Sequence, residues 1–141
     1  MTRSELDAGL YQYRCRVLRV VDGDTVIAEI DLGCHVLIVR EVRLVGINTP
    51  ECNSKDPAER ARAEAAKHRL NSLVGFGFPY PPSAWIRTEL DRGDKYGRLL
   101  GGLYVAATDV PLAAVSRDTI IHVNAVLVAE GHAVAYDGGR R

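Results

Sequence analysis

The fold of this chain is decided by residues 11–47, YQYRCRVLRVVDGDTVIAEIDLGCHVLIVREVRLVGI. Within them, residues 11–21 and 26–32 are rich in β-branched and aromatic residues, and each segment predicts a strand. The Asp22-Gly23 pair between these segments is typical of a hairpin turn. Residues 36–47 are apolar at both odd and even positions, so we expect a third strand that is covered on both faces. Such a strand indicates a closed or sandwiched sheet.

A helix is predicted after the third strand. Asp56-Pro57-Ala58-Glu59 offers a capping Asp, a Pro in the first turn and a Glu three residues after the cap, which is typical of a helix start. Apolar residues then recur three or four positions apart, at Ala58, Ala61, Ala65, Ala66, Leu70 and Leu73. The Gly and Pro residues of segment 75–83 end the helix.

The second half of the chain adds two strands and a helix. Residues 84–90 and 99–105 predict strands on either side of the polar turn DRGDKYGR. Asn124 is expected to cap a short helix that ends at Gly131. This order of elements predicts a mainly β fold with some α structure, a five-stranded Greek-key barrel of the OB type with two or three flanking helices.

Length and composition limit the classes of protein to which this chain can belong. With 141 residues, 47% of them hydrophobic, we expect one domain over residues 1–141, with residues 1–10 as a flexible or loosely packed segment. The 18 basic residues equal the 18 acidic ones, so the chain lacks the basic excess of a non-specific nucleic-acid binder, although nucleic acid remains possible as a substrate. Three scattered Cys do not form a disulfide framework. Without a signal peptide or a long apolar run, we expect a cytoplasmic monomer that does not bind membranes.

Four segments carry polar residues that strand formation does not require. They are residues 22–25 (DGDT), Arg43 inside an apolar strand, residues 48–51 (NTPE) and residues 94–98 (DKYGR). Each has a simpler explanation when taken alone. Segments 22–25 and 48–51 are typical of turns, and Arg43 could form a structural ion pair with Glu41 or with a carboxylate across the sheet.

Taken together, Asp24, Glu51, Arg43 and Arg98 provide the groups that phosphodiester hydrolysis needs. A hard divalent cation on oxygen ligands polarises the phosphate, a carboxylate orients or deprotonates water, and guanidinium groups stabilise the growing negative charge. These segments contain no His, which favours Ca²⁺ or Mg²⁺ over zinc. We expect the His residues elsewhere, such as His122, to lie on the surface or to pack.

Four motifs resemble the staphylococcal nuclease (thermonuclease) family, in that family's order. They are VVDGDTV (20–26), VRLVGINTPE (42–51), DKYGRLLG (94–101) and VNAVLVAEGHAVAYDGG (123–139). The resemblance implies an OB-type barrel and Ca²⁺-dependent hydrolysis of DNA and RNA that leaves 3′-phosphate ends. Short members of this kind resemble phage-borne or prophage-borne nucleases, and a phage-encoded protein would act in the host cytoplasm.

The resemblance also implies a role for individual positions. Asp24 matches a metal-ligating Asp, and Thr49 matches a Thr whose backbone carbonyl binds the same calcium ion. Glu51 matches the residue assigned as general base, whose exact part is disputed for the family. Arg43 and Arg98 match the two arginines that bind the phosphate.

The remaining assignments lie around these residues. Asp22 matches a carboxylate that shapes the site without being a principal metal ligand. Lys95 and Tyr96 match the pair that contacts the substrate's other phosphate, and Tyr136 matches a tyrosine beside the base. Asn48 departs from the pattern, because it stands where the best-known members have a second metal-ligating Asp. Its amide oxygen is still a calcium ligand, so we expect weaker binding of one Ca²⁺ ion, with an inactive nucleic-acid-binding module or a metal-blind structural protein as alternatives.

Overall fold

The computed structural model describes residues 1–75, 84–93, 97–106 and 120–136. The helices are α1 (Arg3–Ala8), α2 (Pro57–Leu73) and α3 (Val123–Ala129). The strands are β1 (Gln12–Asp22), β2 (Thr25–Asp31), β3 (Leu37–Leu44), β4 (Ile47–Asn48), β5 (Ala84–Gly93), β6 (Leu99–Ala106), β7 (Ile120–His122) and β8 (Val134–Ala135). No helix in these ranges combines the length and the apolar character needed to cross a membrane.

Five strands close into a barrel. They are hydrogen-bonded in the order β3-β2-β1-β5-β6, and a parallel pairing of β6 with β3 joins the two ends. The other pairings between these strands are antiparallel, while β7 extends the sheet beyond β6 and β4 pairs with β8 separately. The barrel confirms the predicted mainly β fold of the OB type with flanking helices.

The β1–β2 hairpin brings one end of the barrel against α2. Strand β1 ends at Asp22 and β2 begins at Thr25, so the turn consists of Gly23 and Asp24. A Cβ atom on Gly23 would lie 2.8 Å from the Cβ of Ala66 and 3.2 Å from the Thr49 side chain. Such distances are too short for any larger residue without movement of its neighbours. The glycine therefore allows the turn to pack directly against α2 and Thr49.

The expectation that the third strand is covered on both faces is wrong. Leu37 and Val39 are 58% and 55% exposed, whereas Val42 and Leu44 are fully buried. A barrel strand buries only the face that points inward, and β3 follows this rule. The strand also stops at Leu44, because a turn at Gly46, with φ of +80°, separates it from β4. The barrel is therefore closed by the pairing of β3 with β6, and it does not require both faces of β3 to be buried.

Helix α2 begins where the sequence predicted. The Asp56 side chain accepts a hydrogen bond from the Ala58 backbone N–H at 3.0 Å, and Pro57 is the first helical residue. The helix packs against β1 with four buried residues, Ala63, Ala66, Leu70 and Leu73. Ala63 therefore replaces the exposed Ala58, Ala61 and Ala65 in the predicted apolar stripe.

Asn124 does not cap α3, which corrects another expectation. The helix begins at Val123, and the Asn124 side chain is buried among backbone groups of the barrel. Its Oδ1 accepts from the Leu103 N–H at 3.0 Å, and its Nδ2 donates to the Val45 carbonyl at 2.8 Å. The amide thus ties α3 to β6 and to the turn after β3, a role that depends on contacts distant in sequence.

The N-terminal residues form helix α1. The Thr2 and Glu5 side chains cap its first turn reciprocally, and no residue of α1 is buried. The predicted loose segment 1–10 therefore contains an exposed, locally capped helix.

Candidate active site

Asp24 lies in the β1–β2 turn, and three donors hold its carboxylate. Its Oδ1 accepts from the Thr25 hydroxyl at 3.0 Å, and its Oδ2 accepts from the Thr49 backbone N–H at 3.3 Å. The Arg43 Nη2 atom is 3.4 Å from the same Oδ2. Asp24 is only 8% exposed, so these partners replace water as its hydrogen-bonding environment. The carboxylate is therefore fixed in one orientation.

Arg43 reaches this carboxylate from β3. It lies directly opposite Thr25 in the β2–β3 register, and 12% of its side chain is exposed. Its Nη1 donates to the Leu44 carbonyl at 2.8 Å, and its Nη2 donates to the Asn48 Oδ1 at 3.2 Å. The structural ion pair considered for Arg43 is thus formed with Asp24.

Arg98 approaches the same place from the start of β6. Its Nη1 lies 3.4 Å from the Thr25 hydroxyl, within hydrogen-bonding distance, and its side chain is half-buried. Arg43 and Arg98 therefore both contact the Asp24-Thr25 pair, although they are far apart in sequence. The parallel β3–β6 pairing that closes the barrel brings them together, because it aligns Arg43 with Leu100.

Glu51 is exposed in the loop between β4 and α2, and Glu59 fixes that loop. The Glu59 carboxylate accepts from the Glu51 backbone N–H at 3.3 Å and from the Ser54 hydroxyl at 2.7 Å. The sequence pattern assigns Glu59 only to the helix start, so its contacts with the Glu51 loop were not predicted. The feature of the sequence that indicates this contact is the position of Glu59 three residues after the helix cap, because a side chain there points back over the preceding loop.

A cleft of about 490 Å³ lies beside Glu51 and Glu59. Segment 48–51, α2 and segment 131–136 form its walls, and Asn48, Thr49, Glu51 and Tyr136 are among the residues that line it. The β4–β8 pairing aligns Asn48 with Val134, and the Tyr136 N–H donates to the Gly46 carbonyl at 2.8 Å. The cleft therefore brings together Glu51, Asn48, Thr49 and Tyr136.

Asp22 is the last residue of β1 and lies next to Cys52. Burial raises the pKa of the Cys52 thiol to about 11, and the Asp22 carboxylate contributes in the same direction. The thiol is thus protonated at neutral pH and not a nucleophile. Lys95 and Tyr96 lie outside the described residues.

A comparison with protein families agrees with this geometry. The family model described as staphylococcal nuclease homologue matches residues 41–140. The chain belongs to the staphylococcal nuclease family. No curated protein matches it. The matched region contains Arg43, segment 48–51 and Arg98, whereas Asp24 precedes it. Membership indicates a nuclease or a nucleic-acid-binding domain.

Staphylococcal nuclease homologues are generally calcium-dependent, and the donor atoms here fit a hard cation. The Asp24 Oδ2 and the Asn48 Oδ1 both contact one atom, the Arg43 Nη2, so these two oxygens converge on a single position that attracts positive charge. Carboxylate and amide oxygens are the ligands that Ca²⁺ prefers. Within the described ranges, however, no three His, Cys, Asp or Glu residues cluster as a metal site. The residues therefore fit a hard cation held with little negative charge.

Proposed function

We propose that this protein is a metal-dependent nuclease that hydrolyses DNA or RNA phosphodiester bonds and leaves 3′-phosphate ends. One observation carries the proposal. The guanidinium groups of Arg43 and Arg98 converge on the Asp24-Thr25 pair, 3.4 Å from the Asp24 Oδ2 and 3.4 Å from the Thr25 Oγ1. One guanidinium group thus contacts the carboxylate and the other the neighbouring hydroxyl, an arrangement that fits a place where a phosphate and a metal ion bind together.

The metal ligands in this proposal are Asp24, Asn48 and the Thr49 carbonyl. One Ca²⁺ ion held there would polarise a phosphate oxygen. Asp22 shapes this region through its contact with Cys52. The Glu59 carboxylate keeps the backbone of the Glu51 loop in place.

The catalytic groups are Glu51, Arg43 and Arg98. Glu51 faces the cleft, where its carboxylate orients or deprotonates the attacking water. Arg98 and Arg43 donate to the phosphate oxygens as negative charge accumulates on them. Arg43 must release the Asp24 and Asn48 oxygens to do so, whereas its bond with the Leu44 carbonyl can persist.

The substrate-binding groups are Tyr136, Lys95 and Tyr96. Tyr136 lines the cleft and would contact the nucleotide base. Lys95 and Tyr96 precede Arg98 by two or three residues and would contact a second phosphate. These contacts would align the scissile bond without taking part in the chemistry.

The second candidate is a nucleic-acid-binding module without hydrolytic activity. Two side-chain oxygens converge on the Arg43 Nη2, and one of them belongs to the uncharged amide of Asn48 rather than to a carboxylate. This lower negative charge favours the binding module. Fewer negative ligands weaken cation binding. A metal-blind protein with a purely structural role would instead bind neither metal ion nor oligonucleotide.

Cleavage assays distinguish these functions. We expect the purified protein to cleave DNA or RNA with Ca²⁺ and not with EDTA. Glu51→Gln should abolish cleavage, and the control Glu41→Gln, at an exposed position on β3, should retain it. A folded wild-type protein that binds an oligonucleotide without cutting it in the presence of Ca²⁺ would establish the binding module instead.

A further inference from the structure

A row of four side chains crosses the outer face of the barrel, away from the cleft. The cross-strand registers align Arg14 on β1 with Trp85 on β5, Trp85 with Tyr104 on β6, and Tyr104 with His122 on β7. Residues directly opposite each other on antiparallel strands have their Cβ atoms about 5 Å apart on the same face. Trp85, Tyr104 and His122 therefore lie side by side on one face, called the aromatic row below, with Arg14 at one end.

The rings of the aromatic row are uncharged, and two of them cover one face of each other. The Tyr104 and His122 rings stack with their centroids 4.5 Å apart and their planes at 10°. Partial burial lowers the pKa of His122, so its imidazole is uncharged at neutral pH. Gly102, the next outward-facing residue on β6, has no side chain to cover the rings, and a Cβ there would lie 3.5 Å from Tyr104. All three rings are half-buried and still accessible.

Two arginines beside the aromatic row have no counter-ion among the residues that the structure describes. Arg14 and Arg87 are exposed, and neither makes a hydrogen bond or ion pair with the part of the chain that the structure describes. By contrast, Arg16 and Arg69 are each paired with a glutamate. A groove of about 610 Å³ follows the aromatic row, lined by Tyr13, Arg14, Trp85, Arg87, Tyr104 and Ile120 among others. The groove thus combines aromatic surface with two positive charges that no described residue neutralises.

We propose that the aromatic row, with Arg14 and Arg87, is a second binding site for single-stranded nucleic acid. Bases stack on Trp85 and Tyr104 while the phosphates contact the two guanidinium groups, a combination that binds single strands with little sequence preference. The proposal rests on the proposed function, because the strand held there is a distant part of the substrate.

The distance between the second site and Asp24 determines which substrates can reach both. Arg14 precedes Asp24 by ten residues, most of them in β1, so the two residues are at most about 33 Å apart. A strand of several nucleotides can cover that distance. Contact at both places makes the second contact intramolecular and raises the affinity for long substrates without changing the chemistry.

The positive charge of the groove argues against a second copy of this chain as its occupant. In a symmetric dimer the same patch packs on itself. Arg14 and Arg87 of both copies would then meet, and like charges across an interface are unfavourable. A polyanion with flat bases satisfies both features of the groove.

Trp85 is the only tryptophan in the chain, so its fluorescence reports directly on the aromatic row. The experiment titrates the protein in EDTA with an oligothymidylate of about twelve nucleotides, a length within the usual site sizes. We expect quenching of Trp85. Tyr104→Leu should raise the Kd by about 5- to 150-fold, the range for loss of stacking on one base. The double variant Arg14→Gln, Arg87→Gln should make the slope of log K against log salt concentration less steep by about 1.4, because two phosphate contacts are lost.

Arg19→Gln is the matched control. Arg19 is exposed on the same strand, but it lies where β1 pairs with β2 rather than with β5. We expect its Kd to stay within about twofold of the wild type. Because Arg14 and Arg87 are exposed, their double variant remains informative even if Tyr104→Leu unfolds.

Two outcomes would overturn the proposal. One is a Kd and a salt slope that are the same in wild type and in the folded double arginine variant. The other is a dimer, measured by sedimentation, that dissociates when Arg14 and Arg87 are replaced. The test is separate from the nuclease proposal, because binding is measured without metal ion. If the nuclease proposal holds, Tyr104→Leu should also cleave a dinucleotide at the wild-type rate.

Discussion

Arg43 and Asp24 form an ion pair with 3.4 Å between Nη2 and Oδ2, and each side chain is only 12% exposed. The same Nη2 donates to Asn48 at 3.2 Å. Arg43, which is proposed to bind the phosphate, therefore contacts two proposed metal ligands, Asp24 and Asn48. A cation at these oxygens and Arg43 compete for the same electron pairs, so the charge of the ligands should control how tightly the cation binds.

Asn48→Asp should tighten Ca²⁺ binding by about tenfold, because it adds a negative charge to the converging oxygens. Isothermal titration calorimetry of the variant and the wild type measures the change. Asn53→Asp is the control, since it adds the same charge at an exposed position in the nearby loop. Equal affinities for Asn48→Asp and Asn53→Asp would show that net charge alone, rather than ligation at position 48, governs binding.

Arg98→Gln should lower kcat by about 100- to 1000-fold with a smaller effect on KM, because the guanidinium acts mainly on charge that develops in the transition state. Steady-state kinetics on an oligonucleotide substrate, with Arg19→Gln as control, provides both constants. If the folded Arg98→Gln protein keeps the wild-type kcat, Arg98 has only a structural role.

Glu59→Ala should lower kcat by about tenfold while KM changes little, because the loop that carries Glu51 loses its acceptors for the Glu51 N–H and the Ser54 hydroxyl. Glu59→Gln keeps one acceptor oxygen and should recover part of the activity. The control is Glu64→Ala at an exposed position on the same helix. A loss of thermal stability with no change in kcat would contradict a positioning role.

Glu130→Gln should change how stability depends on pH. Arg69, 2.6 Å from Glu130, lowers the pKa of that carboxyl in the folded protein. A lowered folded-state pKa gives a contribution that is present above the unfolded pKa and lost as the pH falls through the folded one. The wild type should therefore unfold at a higher Tm than Glu130→Gln at pH 7, and the difference should shrink on acidification below about pH 4.5. A difference in Tm that persists at pH 2 would exclude the ion pair as its cause.

The sequence predicted best what local chemistry determines. The hairpin at residues 22–24 and the start of α2 at Asp56 follow from turn and cap preferences that act over a few residues. Gly131, with φ of +80°, ends the last helix as predicted. The barrel followed from the order of these elements.

Contacts distant in sequence could not be predicted from it. The apolar residues Leu37 and Val39 indicated burial, yet closure of the barrel leaves them outside. Asn124 has the composition of a cap and instead satisfies backbone groups of Leu103 and Val45, 21 and 79 residues away. Its role depends on which strands pair, and that is decided only when the barrel closes.

In the candidate site, too, some features follow from local sequence and others depend on contacts distant in sequence. The sequence indicated that Arg43 needs an anion, but the β2–β3 register, which places Thr25 opposite Arg43, selects Asp24 over Glu41. The role of Glu59 was not predicted, since a Glu at that position is equally typical of an ordinary helix cap. The catalytic and metal-binding roles themselves remain predictions.

The most direct test of the central claim is identification of the product ends by mass spectrometry. A short oligonucleotide of defined sequence is incubated with the wild type and with Glu51→Gln, each with Ca²⁺ or with EDTA. A nuclease of the proposed type gives fragments with 3′-phosphate and 5′-hydroxyl ends, only from the wild type and only with Ca²⁺. Intact oligonucleotide in every reaction, or 3′-hydroxyl ends, would contradict the proposed function.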